Sequence, residues 1–368
     1  MKLHLINGFL GSGKTTAIIA AAKNYMEQGK KVGIVTNDKG RYQVDTTFFR
    51  ANEIPTRQVA GGCFRCSFDE FEAMIAQLNE AEKPDIIFAE SVGSCVDLVN
   101  TIFSPLIAQN RLSIESLTYS VFTDIRLFKR WIFAEPLPFS DNILYLFGKQ
   151  IEETELLILN KADLLTSDER AMVLSAASNR FPQKTILAQN SLTGGKISAW
   201  LGCLEKNTSN QYDPSFQVDY QKYKKGEQEM AWMDRNFDLT AQNPQQMKAG
   251  LIHLIRKIVQ SIQIQKLTLG HLKFFFESKA TETKLSFTTE DIFSTVSDDL
   301  WEESIPQDMD NQLKLLMNAR IVMEAEAFKQ MVDEAVNETK ATFEINIKVG
   351  GGSYFNPILS MKDRKSVV

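Results

Sequence analysis

Two rhythms of apolar and polar positions divide the chain. Up to about residue 206, short apolar runs alternate with amphipathic stretches. The runs predict strands at Leu3–Ile6, Val32–Thr36, Arg57–Ala60, Asp85–Ala89, Leu117–Thr123, Leu156–Leu159 and Thr185–Ala188. Between them, residues such as Phe68, Phe71, Met74, Ile75 and Leu78 fall on one face at helical spacing. Strands that alternate with helices predict an α/β domain over residues 1–206, with a mostly parallel sheet covered on both faces. Ligands of such sheets collect at the carboxyl ends of the strands.

The second half differs. Residues 207–226, including Asn210-Gln211-Tyr212-Asp213-Pro214, read as a polar linker. Strand patterns then recur at Met230–Leu239, Leu267–Glu277, Lys284–Thr288, Lys314–Met323 and Thr342–Val349. Amphipathic helices are predicted over Pro244–Gln263 and Glu324–Asn337. Residues 227–349 therefore read as a smaller α+β domain with helices on an antiparallel sheet. From Gly350-Gly351-Gly352 to residue 368 the chain reads as a frayed tail.

A length of 368 residues suits two domains, and the net charge of −5 gives no support for a nucleic-acid partner. No apolar run reaches the length of a membrane span. Met1 leads straight into the first strand and leaves no room for a signal peptide, so the cytoplasm is the expected compartment. The four cysteines, Cys63, Cys66, Cys95 and Cys203, suggest thiols or metal ligands rather than a disulfide framework.

Between the first strand and a helix-forming stretch lies Gly8-Phe9-Leu10-Gly11-Ser12-Gly13-Lys14-Thr15-Thr16. Strand, glycine-rich loop and helix are the context of a P-loop. Its backbone amides and the helix dipole favour phosphate. Lys14 is expected at the β- and γ-phosphates, and the Thr15 hydroxyl on Mg²⁺.

Asn160-Lys161-Ala162-Asp163 ends another strand. A carboxylate at Asp163 matches the N1–H and exocyclic amine of guanine, which adenine does not present, and so selects GTP. Asp163 as a plain helix cap is the structural alternative. Asp38 and Glu90 each end a strand, at the rim expected to hold Thr15. Either carboxylate would complete the Mg²⁺ shell or orient the attacking water, or else cap a helix. The backbone N–H of Gly93 is expected to sense the γ-phosphate. Lys14, Asp38 and Glu90 are thus the catalytic candidates. Gly8, Gly11, Ser12, Gly13, Lys14, Thr15, Thr16, Gly93, Asn160, Lys161 and Asp163 are the nucleotide-binding ones.

Cys63-Phe64-Arg65-Cys66 follows Gly61-Gly62. Two thiolates at this spacing can share a soft metal, form a redox pair, or simply be buried. Cys95, five residues beyond Glu90, would give a third thiolate if the fold brings it near.

Together these segments resemble the CobW/HypB/UreG family of P-loop GTPases, and most closely its CobW-like branch. The P-loop text, Asn37-Asp38-Lys39-Gly40, Gly61-Gly62-Cys63, Glu90-Ser91-Val92-Gly93 and Asn160-Lys161-Ala162-Asp163 occur in the family's order. Gly270-His271-Leu272-Lys273 is similar to the branch's carboxyl-terminal region. The resemblance implies a metallochaperone that couples GTP hydrolysis to GDP with delivery of Zn²⁺ or Co²⁺. It implies a client that is a metalloenzyme or corrinoid protein, and a homodimer across the nucleotide face. With no certain arginine finger in cis, turnover is expected to be slow without a partner, and Arg41 and Arg65, in loops beside the site, are the candidate fingers. The branch's cysteine signature is Gly-Cys-x-Cys-Cys, and here Arg65 stands at its middle cysteine. With only His4, His253 and His271, the chain has no histidine-rich segment. A regulatory GTP switch that docks on such a client without carrying metal is the alternative function. An ATP-dependent P-loop kinase is the third, and Asn160–Asp163 argue against it.

Overall fold

The computed structural model describes residues 1–38, 44–60, 63–109, 112–192, 197–206, 216–279, 282–294, 300–307 and 309–357. Lys39, Gly40, Arg41, Gly61 and Gly62 lie outside the described residues. The side chain of Asp38 does as well. The chain divides into two compact units, with the break between Gly226 and Glu227.

The first unit is built on β1 (Lys2–Gly8), β2 (Val32–Asp38), β3 (Thr56–Ala60), β4 (Ile86–Glu90), β5 (Ser116–Asp124), β6 (Leu156–Asn160) and β7 (Thr185–Ala188). They form one parallel sheet in the order β3-β2-β4-β1-β5-β6-β7. The α/β expectation thus holds. Burial on both faces explains the near-continuous apolar text of β1, β4 and β6. In register, Ile6 faces Glu90, Gly8 faces Phe122, and Asp124 faces Asn160. The parallel arrangement therefore brings the ends of β1, β4, β5 and β6 to a single rim. Helix α1 (Lys14–Glu27) starts at that rim and buries Ala17, Ile18, Ala21 and Ala22 against the sheet. Helices α2 (Val44–Ala51) and α3 (Phe68–Glu82) follow β2 and β3.

One helix, Tyr220–Gln228, falls where the sequence reads as linker. Its polar text hides two tyrosines one turn apart, and Tyr223 is buried. Gly226 allows close approach: a Cβ there would stand 2.5 Å from Leu146 Cδ1 and 2.7 Å from Asn142 O.

The second unit contains β8 (Ala231–Thr240), β9 (Leu269–Glu277), β10 (Glu282–Phe287), β11 (Gln312–Ile321) and β12 (Asn346–Phe355). All pair antiparallel, in the order β10-β9-β11-β8-β12. Helices Pro244–Ile264 and Ala325–Phe343 bury their apolar stripes in this unit's core. The last strand differs from expectation at both ends. The helix before it runs to Phe343, and the strand continues past the glycines to Phe355. The register against β8 shifts between Val349 and Gly352. A Cβ on Gly350 would meet Asn236 Oδ1 at 2.3 Å, and one on Gly352 would meet Asp234 O at 2.4 Å. These glycines therefore carry a bulge that keeps the strand paired.

Candidate functional site

The P-loop joins β1 to α1. Gly8, Gly11 and Gly13 have φ of 139°, 71° and 86°, a region that L side chains avoid. Gly8 is also required by space, since a Cβ would lie 2.0 Å from Phe122 O. A Cβ on Gly13 would meet Asn160 Nδ2 at 2.4 Å. Lys14 is buried, and its Nζ donates to Gly8 O at 2.7 Å and Phe9 O at 3.2 Å. The ammonium group thus lies on the loop itself.

Thr15 Oγ1 donates to Glu90 Oε1 at 2.9 Å and to Asp45 Oδ1 at 3.1 Å. Glu90, at the end of β4, therefore stands beside the Thr15 hydroxyl. Asp45, in the first turn of α2, is a neighbour that sequence reasoning missed. No motif marks it, and only the fold brings α2 to the loop. These groups suit Mg²⁺, which takes hard oxygen donors and one or two carboxylates. Gly93 packs against the P-loop as well: a Cβ there would lie 2.9 Å from Leu10 Cδ2 and 3.2 Å from Leu10 N.

The Asn160–Asp163 segment is tied to the same loop. Asn160 Nδ2 donates to Ser12 O at 2.8 Å. Asn160 Oδ1 accepts from the Ser191 hydroxyl at 2.7 Å and the Ser191 N–H at 3.2 Å. Lys161 has φ 61° and pairs with Asp124 Oδ2 at 2.9 Å. Asp124 also takes Arg126 Nη2 at 2.6 Å. Burial works against the Asp124 charge, but Lys161 and Arg126 prevail and draw its pKa down to about 2. Asp163 sits exposed in the turn Ala162–Leu164, next to this scaffold. Ser191 and Asp124 were not legible in the sequence, because neither belongs to a recognisable motif.

A buried polar network runs from the P-loop toward the cysteines. Asn7 Oδ1 accepts from Ser91 Oγ at 2.6 Å, and Asn7 Nδ2 donates to Tyr119 Oη at 2.9 Å and Cys95 O at 3.1 Å. Gln150 Nε2 donates to Gly93 O at 3.1 Å and Cys95 O at 2.8 Å. Glu153 accepts from Tyr119 Oη, Asp97 N–H and Val99 N–H. Burial pushes its pKa up to about 8, against the two amides that favour the carboxylate. Asp97, at φ 67°, accepts in turn from the Tyr220 hydroxyl.

At the cysteine motif, Cys63 is buried and Cys66 exposed, with their sulfurs 2.8 Å apart. Phe64 N–H donates to Asn37 Oδ1 at 3.0 Å, which anchors this loop to the end of β2. The Arg65 guanidinium lies 5.2 Å from the Tyr220 ring centroid and 4.7 Å from that of Tyr223. Burial opposes its charge, while Tyr223, Cys63, Cys95 and Cys66 hold it firmly charged. Cys95 also acts electrostatically on Arg65. Among the described residues, however, no three His, Cys, Asp or Glu side chains are placed to hold a metal. His271 lies in the second unit and meets Asn318 Oδ1 at 2.7 Å through Nε2.

Parallel sheet, glycine-built loop, buried lysine and tethered Asn160 segment define a P-loop nucleotide-binding protein. Residues 2–188 match the model of the CobW/HypB/UreG nucleotide-binding domain. The chain belongs to the CobW/HypB/UreG family. It is 26% identical over 226 residues to the zinc chaperone CobW of a Sinorhizobium species, covering 54% of this chain and 62% of that protein. It is 32% identical over 172 residues to the urease accessory protein UreG of Metallosphaera sedula, covering 43% of this chain and 71% of that one. The crystal structure of HypB from Helicobacter pylori in complex with nickel aligns at a TM-score of 0.41 and 16% identity, over 57% of this chain and 91% of that one. Among the described residues, no helix is long and apolar enough to cross a membrane.

Proposed function

We propose that this chain binds GTP with Mg²⁺ and couples its hydrolysis to the handling of a transition metal destined for a client metalloenzyme. The observation that carries the nucleotide half is the bond from Asn160 Nδ2 to Ser12 O. It ties the proposed base-reading segment to the phosphate loop, which supports Asp163 and Lys14 acting on one molecule. Thr15 and Glu90 would hold Mg²⁺, with Asp45 beside them and Asp38 at the same sheet rim. The ion supplies charge neutralisation at the phosphates. The backbone N–H of Gly93, in the loop that follows Glu90, is proposed to sense the γ-phosphate.

The metal half rests on placement and family. Cys63 and Cys66 offer two thiolates with Cys95 nearby, and a soft divalent ion such as Zn²⁺ or Co²⁺ matches that donor type. Two donors leave coordination positions open, which suits release to a client. Asn37 links the cysteine loop to β2, and the network through Asn7, Cys95 O and Tyr119 links the Gly93–Cys95 loop to the P-loop. Loss of the γ-phosphate would relax those loops together, and metal and nucleotide affinities are then reciprocally linked.

One observation favours a second reading. Arg65 puts a cation where the family has a thiolate, which weakens the case for cargo. In that reading the chain is a GTP switch that docks on a metalloenzyme or corrinoid protein without carrying metal.

The test uses the purified full chain in reductant. Zinc binding is titrated with a GTP analogue and with GDP, for the parent chain and for Cys63→Ser/Cys66→Ser. Stoichiometric zinc that depends on nucleotide and disappears in the variant supports the cargo reading. GTP binding without zinc binding supports the switch. Unchanged GTP affinity in Lys14→Ala overturns both.

A further inference from the structure

We propose that Cys63 and Cys66 form a reversible intramolecular disulfide by exchange with a low-molecular-weight disulfide such as oxidised glutathione. Three independent features of the loop converge on this chemistry. The two sulfurs are in contact at 2.8 Å. Their access differs in the manner an exchange pair needs, since Cys66 is exposed and Cys63 is 1% exposed. A cation is built into the loop: Arg65 stands between the two cysteines in sequence, its guanidinium 5.2 Å and 4.7 Å from the Tyr220 and Tyr223 ring centroids.

The local backbone supports the pairing. Cys66 N–H and Ser67 N–H both donate to Cys63 O, at 2.8 Å and 3.1 Å. This tight turn holds the sulfurs together. It also sets Cys66 just ahead of Ser67, the N-cap of α3, a helix of 15 residues. The cation–π seat of Arg65 on Tyr220 and Tyr223 fixes the guanidinium there.

The step balances as follows. The Cys66 thiolate attacks one sulfur of the small disulfide. That S–S bond breaks, and the first small thiolate leaves. The Cys63 thiolate then attacks the Cys66 sulfur of the mixed disulfide and expels the second small thiolate. The two protons from the cysteine thiols end on the two departing thiols. The protein dithiol is oxidised by two electrons and the small disulfide is reduced by two. Oxidation withdraws both thiolates from any soft metal, a consequence that rests on the cargo reading above.

The test counts accessible thiols and intact mass on the reduced full chain, before and after incubation with oxidised glutathione. The expected result is loss of two alkylatable thiols, no retained glutathione, peptide mapping that joins Cys63 to Cys66, and full reversal by dithiothreitol. Cys63→Ser should stop at one bound glutathione on Cys66, and Cys66→Ser should keep its remaining thiols. Retention of every thiol in the parent chain, a stable glutathione adduct on it, or a bond to Cys95 or Cys203 overturns the proposal. The parent measurement needs no variant to fold. Zinc titration of the reduced chain is a separate readout. A failure to form the disulfide leaves the cargo reading standing, and a disulfide that forms in a chain unable to bind zinc when reduced sinks only the cargo reading.

Discussion

Asn160 donates through Nδ2 to the carbonyl of Ser12, 148 residues away in sequence, at 2.8 Å. The same side chain accepts two bonds from Ser191. One buried amide thus holds three segments of the nucleotide site in register. Asn160→Ala leaves Ser12 O and the Ser191 hydroxyl without these bonds in a buried setting. The expected loss in GTP affinity is about 2 kcal/mol, or ~30-fold. Titration with a fluorescent GTP analogue checks it, and an unchanged affinity would show that the tether does not matter to binding.

Asp163 is exposed in its turn, where it is proposed to read guanine. Asp163→Ala should lower GTP affinity by roughly a hundredfold and leave ATP affinity where it was, because only guanine presents the paired donors. Competition between the two nucleotides measures this. Equal losses for both would place the fault in folding rather than in base reading.

Arg65 lies between Cys63 and Cys66 in sequence and is clasped by Tyr220 and Tyr223. Arg65→Cys replaces a cation with a third soft donor. Zinc affinity in reductant should rise by on the order of a hundredfold, with GTP affinity little changed. A competing chelator titration reads the shift, and no gain would mean that the loop cannot fold its sulfurs around one ion.

Glu153 has its pKa raised by burial from 4.5 to about 8. An acid with a raised folded-state value binds its proton more tightly when folded. Its contribution to stability is complete below about 4.5 and is lost as pH rises through about 8. Glu153→Gln mimics the protonated form and should abolish this slope. Between pH 6.5 and 8.5 the parent chain is expected to lose roughly 4 °C more in Tm than the variant. Burial lowers His4 from 6.5 to about 3, so its contribution rises with pH up to about 6.5, opposite in sign, and is common to the parent chain and the variant. Parallel Tm curves would show that Glu153 is ionised at neutral pH.

Much of the fold follows from local text. A strand buried on both faces needs an unbroken apolar run, and a loop with positive φ at Gly8, Gly11 and Gly13 needs glycine. Those demands act residue by residue, so β1 to β7, the P-loop and the Asn160–Asp163 turn can be read without the structure. The helix Tyr220–Gln228 cannot, because its stabilising contacts are made by Tyr220 and Tyr223 with Asp97 and Arg65, far off in sequence. The bulge at Gly350–Gly352 cannot either: a glycine run reads equally as a loose end or as room for β8 to approach.

At the site the division is the same. Chain order alone singled out the residues proposed to carry phosphate, base and thiol chemistry, since motif spacing along a strand–loop–helix unit sets their direction. Only the tertiary structure decided that Asp45 stands beside Thr15, that Asp124 holds Lys161, and that Arg65 sits charged among the thiols. Each of these is a pairing between segments that touch only after the sheet has stacked its strands. Its strength comes from burial, which no single stretch of sequence specifies.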